Sequence, residues 1–207
     1  MIVDVPSPTE FQAGWRAFQL HEKRDAMYSV ATFLIDHFWG KPHESADSLG
    51  VLLLTWNQAF YRYGPFDFER LEDCIQVNQE SINQFRARNI ASYSNVDDPA
   101  IRRLFDQFLV ALQICEGSGI GKQSPVSASK ALHLLAPRYF PLWDDKIARA
   151  YNCHYGEFPG DKYVKFMKKM QFMVHELAPS ARAEETGKAL LKLIDEYNYA
   201  KYTKGWI

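Results

Sequence analysis

Two side chains in this sequence have both the type and the setting for bond-making chemistry, Lys130 and Asp144. Lys130 opens an apolar stretch, Ala131, Leu132, Leu134 and Leu135. Partial desolvation there lowers an ammonium pKa and favours an amine nucleophile or a Schiff base. The alternative is a lysine that lays its stem on the apolar surface and its charge in water. Asp144 follows Phe140-Pro141-Leu142-Trp143 and stands where it would cap the next helix. A carboxylate at a helix N-terminus stays ionised, and in a cleft it can stabilise a developing cation or help activate a nucleophile. Aspartate is also a favoured cap in any protein, with Asp145 beside it an ordinary first-turn acid.

Other chemistries find little support. Cys74, Cys115 and Cys153 lie far apart and are odd in number, so neither a disulfide framework nor a CxxC zinc site is expected. An Fe–S cluster needs four clustered thiolates. The six histidines show no metal-ligand spacing, so no cofactor is expected. His133, three residues after Lys130, could face the same cleft or sit satisfied in the core. No apolar run approaches 18 residues and no leader-like segment opens the chain, which predicts a soluble, cytoplasmic protein with no membrane partner.

The 207 residues, 47% hydrophobic and 24% charged, suit one globular domain spanning 1–207 and expected to be a monomer. Net charge is −1, yet residues 122–169 hold nine Lys/Arg against four acids. A local basic face suits phosphate contact, although a lysine run is also the ordinary solvated face of a helix.

The elements that must position these residues are helices, and the expected class is all-α. Thr9 is placed to cap a first helix through Phe11, Trp15 and Phe18, and Ala26 to Trp39 forms a second that stops at Gly40. Residues 45–63 are apolar nearly all round, as a buried central helix is, and Gly64-Pro65 ends it. Residues 66–77 and 81–91 read as two shorter helices. Asp98-Pro99 opens a well-formed one, with Ile101, Leu104, Phe105, Phe108 and Leu112 at helical spacing. Residues 161–177 and 180–202 complete the set.

Residues 117–151 resemble the core of the helix-hairpin-helix DNA glycosylase superfamily, closest in style to its archaeal 8-oxoguanine glycosylase-like branch. The resemblance is carried by Gly119-Ile120-Gly121, by Lys130 at the start of a helix, by Phe140-Pro141-Leu142-Trp143-Asp144, and by Ile147, Arg149 and Tyr151. It implies a two-lobed helical bundle with its active-site cleft between lobes, the hairpin and catalytic segment occupying about 115–151. The implied activity is base flipping and cleavage of an N-glycosidic bond in double-stranded DNA, in repair or phage defence, with or without strand-cleaving lyase activity. Asp144 would be the general catalytic carboxylate and Lys130 the amine nucleophile of bifunctional members.

The chain departs from the family pattern in two places. Eight residues separate Gly121 from Lys130, and Val126-Ser127-Ala128-Ser129 stands where the hairpin is expected. The spacing of 14 from Lys130 to Asp144 is also short. Upstream, Trp56-Asn57-Gln58 resembles the helix end whose amide fills the gap left by a flipped nucleotide, with Asn57 the closer match. Trp56, Trp143 and His133 would line the base pocket. Gly119, Gly121, Lys122, Ser127, Ser129, Lys146 and Arg149 would contact DNA phosphates. The resemblance leaves the base open between 8-oxoguanine and a hypermodified cytosine such as glucosylated hydroxymethylcytosine. A non-catalytic helical DNA-binding or interaction module of the same fold is the alternative.

Overall fold

The computed structural model describes residues 4–178 and 188–207, and among them every regular element is helical. Helix α1, Pro8–His21, starts on Ser7, whose hydroxyl accepts from the Glu10 N–H at 3.2 Å, with Pro8 at the first helical position. The cap therefore falls two residues before the expected Thr9. Helix α2 is Ala26–His37, and α3 is Pro42–Trp56, three residues longer at its start than predicted. It breaks at Asn57, and the short α4, Gln58–Tyr61, follows.

Helix α5 runs unbroken from Phe68 to Arg86, where two helices were expected. The polar stretch around Ser81 does not interrupt it because the inner face carries on through Leu71, Ile75, Asn78, Ile82 and Phe85. Asn78 meets its own polar requirement by donating to the Cys74 carbonyl at 2.9 Å. Helix α6, Asp98–Ala111, buries Ile101, Leu104, Phe105 and Phe108 as its spacing required. Then come α7, Pro125–Leu135; α8, Asp145–Ala150; α9, Pro159–Leu177; and α10, Leu190–Asn198, which passes directly into a π-helical turn, Tyr199–Lys204. The start of the helix expected from residue 180 lies outside the described residues.

Helix α6 lies at the centre and packs on α5, α7 and α9, while α3 packs on both α2 and α5. Helix α1 packs on α10, and the approach is close. A Cβ on Gly14 would fall 2.4 Å from the Tyr197 ring. One contiguous core links these contacts, and its largest fully buried side chains include Trp143, Tyr139, Tyr163, Phe105 and Phe140.

The link from α6 to α7 is a closed turn tied to the end of α4. Gly121 N–H donates to the Ile114 carbonyl at 2.8 Å, and Ile114 N–H donates to that of Lys122 at 3.0 Å. Gly119 N–H donates to the Tyr63 carbonyl at 3.0 Å, and Cys115 N–H to that of Pro65 at 2.9 Å. Gly64, at φ +143°, makes this possible, since a Cβ there would fall 1.7 Å from the Glu116 carbonyl oxygen. No helix among the described residues is long and apolar enough to cross a membrane.

Candidate active site

Ser124 caps α7 by accepting the Ser127 N–H at 3.2 Å, and Pro125 occupies the first helical position. This start orients Lys130 toward the end of α3. The Lys130 amine donates to the Trp56 carbonyl at 2.8 Å, an acceptor left over in the last turn of α3, and lies 4.6 Å from the centre of the Trp56 ring. Burial lowers its pKa from 10.5 to about 8, against the opposing pull of Asp144 and Asp195.

Asp144 is the side-chain cap of α8. Its Oδ1 accepts the Ile147 N–H at 2.7 Å, and its Oδ2 accepts the Thr203 hydroxyl at 2.6 Å. Lys130 and Asp144 line one cavity of about 670 Å³, a size ordinary for small-molecule sites. Its walls come from the end of α3, from α7, from the turn and helix at 142–147, from α10, and from the α1–α2 turn.

Trp56 and Trp143 also border this cavity. The Trp143 ring, however, is 1% exposed and packs among Phe105, Tyr155, Tyr163 and Phe166. It is a core side chain first, and no face of it is open for stacking. Trp56 is the more accessible of the two.

Several predicted site residues lie elsewhere. His133 is fully buried and does not border the cavity. Burial holds its pKa down at about 3, so it is neutral and its ring nitrogens bond the Phe140 carbonyl at 2.7 Å and the Tyr28 hydroxyl at 3.1 Å. It joins α7 to the segment before α8 and to α2, a structural duty.

Asn57 likewise turns inward, its amide donating to the hydroxyls of Ser124 (3.1 Å) and Ser127 (2.6 Å). It fastens the α3–α4 break to the start of α7. Gln58 is exposed and away from the cavity.

The expected phosphate contacts divide in the same way. Ser127 and Ser129 are fully buried; the Ser129 hydroxyl is engaged with the Val126 and Trp143 carbonyls at 3.0 and 3.1 Å. Neither hydroxyl can reach a phosphate. The Gly121 amide is bonded within the turn and the Gly119 amide to the Tyr63 carbonyl after α4, as described above. Arg149 is paired with Asp145 at 2.9 Å, and Lys146 donates to the Thr203 carbonyl at 2.8 Å. Lys122 is exposed, 4.9 Å from the centre of the Tyr63 ring, and away from the cavity.

The site holds groups that sequence reasoning missed. Lys192 of α10 is 5% exposed and lies 3.3 Å from Asp25, 3.4 Å from Asp195 and 3.7 Å from Glu196. Burial works against its charge, but these three carboxylates outweigh it and raise the pKa. Asp195 borders the cavity, and burial pushes its pKa up to about 6, with Lys192 opposing and Glu196 and Asp144 adding to the rise. The visible signal was a lysine followed at i+3 and i+4 by two acids, set among Leu191, Leu193, Ile194 and Tyr197.

The mouth of the cavity carries His21 at the end of α1 and Glu22, Lys23 and Arg24 of the α1–α2 turn, all exposed. Among the described residues no group of three or more His, Cys, Asp or Glu side chains is arranged to hold a metal ion. No protein-family model matches the chain, and no curated protein or solved structure matches it either.

Proposed function

We propose that this protein is a DNA glycosylase that takes a modified base into the cavity between Trp56, Lys130 and Asp144 and cleaves its N-glycosidic bond. The observation that carries this reading is the meeting of two residues. Lys130 and Asp144 lie 14 positions apart in sequence yet border the same cavity, the amine with a pKa near 8 and the carboxylate fixed at a helix N-terminus. The resemblance of residues 117–151 to the helix-hairpin-helix glycosylases adds to this reading, with α6, a closed turn and α7 following one another in the chain.

In the hydrolytic route the C1′–N bond breaks and its electron pair leaves with the base. Asp144 stabilises the positive charge that develops on the sugar. Water adds its oxygen to C1′, and its proton passes through Asp144 to solvent while the base nitrogen takes one up. In the lyase route the neutral fraction of Lys130 attacks C1′ in place of water. The C1′–N bond to the base breaks as before, the C1′–O4′ bond then opens, and the two protons given up by the amine go to the base and to O4′, leaving an imine. DNA backbone contact is assigned to the cavity mouth, where Lys23 and Arg24 are exposed.

The test is incubation with duplexes that carry a panel of modified bases, followed by alkali to break abasic sites. Wild type releases one of these bases, and Asp144→Asn abolishes release. Borohydride, which reduces an imine to a stable amine, traps a protein–DNA adduct in the wild type and none in Lys130→Ala if the lyase route operates. Base release that survives Asp144→Asn would refute the proposal, as would wild-type protein that leaves the whole panel intact.

A further inference from the structure

We infer that Thr203 is a positioning residue for the Asp144 carboxylate, delivered to it by the π-helical turn Tyr199–Lys204. This inference rests on the glycosylase reading for its catalytic consequence but not for the contact itself. A capping aspartate ordinarily gives one oxygen to the helix amides and the other to water. Here Ile147 N–H takes Oδ1 at 2.7 Å and the Thr203 hydroxyl takes Oδ2 at 2.6 Å. A hydroxyl has one proton to donate, and this one is committed to Asp144. Two donors on two different oxygens fix the rotation of the carboxylate plane, which one cap bond leaves free. Each oxygen keeps a lone pair for a ligand in the cavity.

The backbone around Thr203 is unusual in a way that fits this duty. Helix α10 does not stop or continue as an α-helix; it widens into a π-helical turn, which closes at Gly205 with φ +64°. The extra residue per turn rotates the side chains that follow, and such turns recur at functional sites. The turn is anchored on three sides. Lys146 of α8 donates to the Thr203 carbonyl at 2.8 Å, so the helix that Asp144 caps is tied to residue 203 at both ends of the contact. Lys201 is ion-paired with Glu10 of α1, and the Trp206 ring stacks on His21 at 4.3 Å. Tyr199, at the head of the turn, borders the cavity. A threonine so held has a fixed hydroxyl position, which is what positioning requires.

Thr203→Val removes the donor at nearly constant volume, and Thr203→Ser retains it. With the base that wild type releases, Thr203→Val should lower kcat about 10- to 100-fold, the usual effect of deleting a hydrogen bond to a charged group. KM for the duplex should stay within about twofold, and Thr203→Ser should restore kcat to within a few fold of wild type. An unchanged kcat in Thr203→Val overturns the inference. So does a Thr203→Ser protein as slow as Thr203→Val, or as slow as Asp144→Asn where Thr203→Val does not fold.

A second measurement is independent of activity. In urea unfolding, Thr203→Val and Asp144→Ser, which keeps a cap but cannot reach residue 203, should be coupled by about threefold or more in the folded-to-unfolded ratio. Coupling in a wild type that releases no base refutes the glycosylase reading and supports the hold on Asp144. Additive effects overturn that hold.

Discussion

Lys130→Met should make this protein more stable at neutral pH while removing the amine that the proposed lyase route requires. An amine whose pKa falls from 10.5 to about 8 on folding carries about 3 kcal/mol of unfavourable free energy in its charged form. Methionine keeps the length of the stem and its packing beside Trp56, and it brings no charge into the cavity. The hydrogen bond to the Trp56 carbonyl is lost, at about 1 kcal/mol. The expected gain at pH 7 is therefore about 2 kcal/mol. The sign of its pH dependence follows from proton counting. Between pH 8 and 10.5 the unfolded lysine binds more protons than the folded one, so wild-type stability rises through that window and the substituted chain has no such rise. Buried tyrosines that titrate above this range are common to both chains and cancel in the difference. Urea unfolding at pH 7 and pH 10 measures it, and the advantage of Lys130→Met should shrink and vanish between the two. A variant less stable than wild type at pH 7, or a difference that ignores pH, would refute the claim that Lys130 is held as a desolvated amine.

Three further outcomes are expected. His133 has a folded pKa of about 3 against 6.5 unfolded, so its contribution is complete above pH 6.5 and is lost as pH falls through that window. Moving from pH 7 to pH 5 should destabilise wild type by about 2 kcal/mol more than His133→Asn, and equal slopes in urea unfolding would exclude the neutral buried ring. On the proposed reading the protein binds duplex DNA, and paired Lys23→Glu and Arg24→Glu changes should weaken that binding and reduce the log–log salt slope by about 2, measured by fluorescence anisotropy; an unaltered slope refutes the assignment of the backbone to the cavity mouth. Gly64→Ala, which sets a Cβ against the Glu116 carbonyl at φ +143°, should cost about 3 kcal/mol or more in thermal unfolding, and a loss below about 1 kcal/mol would show that the closed turn yields.

The helical architecture was legible because its signals are local. Period-3.6 burial in α6 and the Gly64-Pro65 stop can each be seen within one window of sequence. Lys130 and Asp144 were legible as chemistry-bearing types for the same reason. Partner choice is a tertiary property, and the sequence was silent on it. Nothing near Asn57 says that its amide will meet Ser124 and Ser127 some 70 positions away. A serine-rich stretch before a lysine reads as a phosphate turn until Ser127 and Ser129 prove to be the buried inner face of α7. The break expected in α5 failed because a polar stretch marks a helix end only when both of its faces turn polar. Lys192 and Asp195 were hidden inside a helix whose charges look solvated one residue at a time.

The direction of the pKa shifts separates this cavity from an ordinary ion-pair network, and the same chain supplies the comparison. Arg88, Asp97 and Tyr139 form a satisfied cluster in which Arg88 contacts Asp97 at 2.8 Å and Tyr139 donates to Asp97 at 2.9 Å. There each ion moves toward its charged form, with the Arg88 hydrogen bond drawing Asp97 down to about 2 and Asp97 raising Arg88. That is what a cluster built for stability does. At the cavity the two groups move the other way. Burial drives Lys130 down to about 8 and Asp195 up to about 6, each toward its neutral form and each toward the pH at which proton transfer is efficient. Desolvation that is only partly compensated costs stability. Lys192 is ringed by three carboxylates, one of them Asp195, whose rise it opposes without cancelling; Lys130 meets a carbonyl and an indole face, with the pull of Asp144 and Asp195 opposing its burial. An amine and an acid on one cavity wall that both lean toward their neutral forms are candidates for proton transfer, which is the ground for the roles proposed for this site.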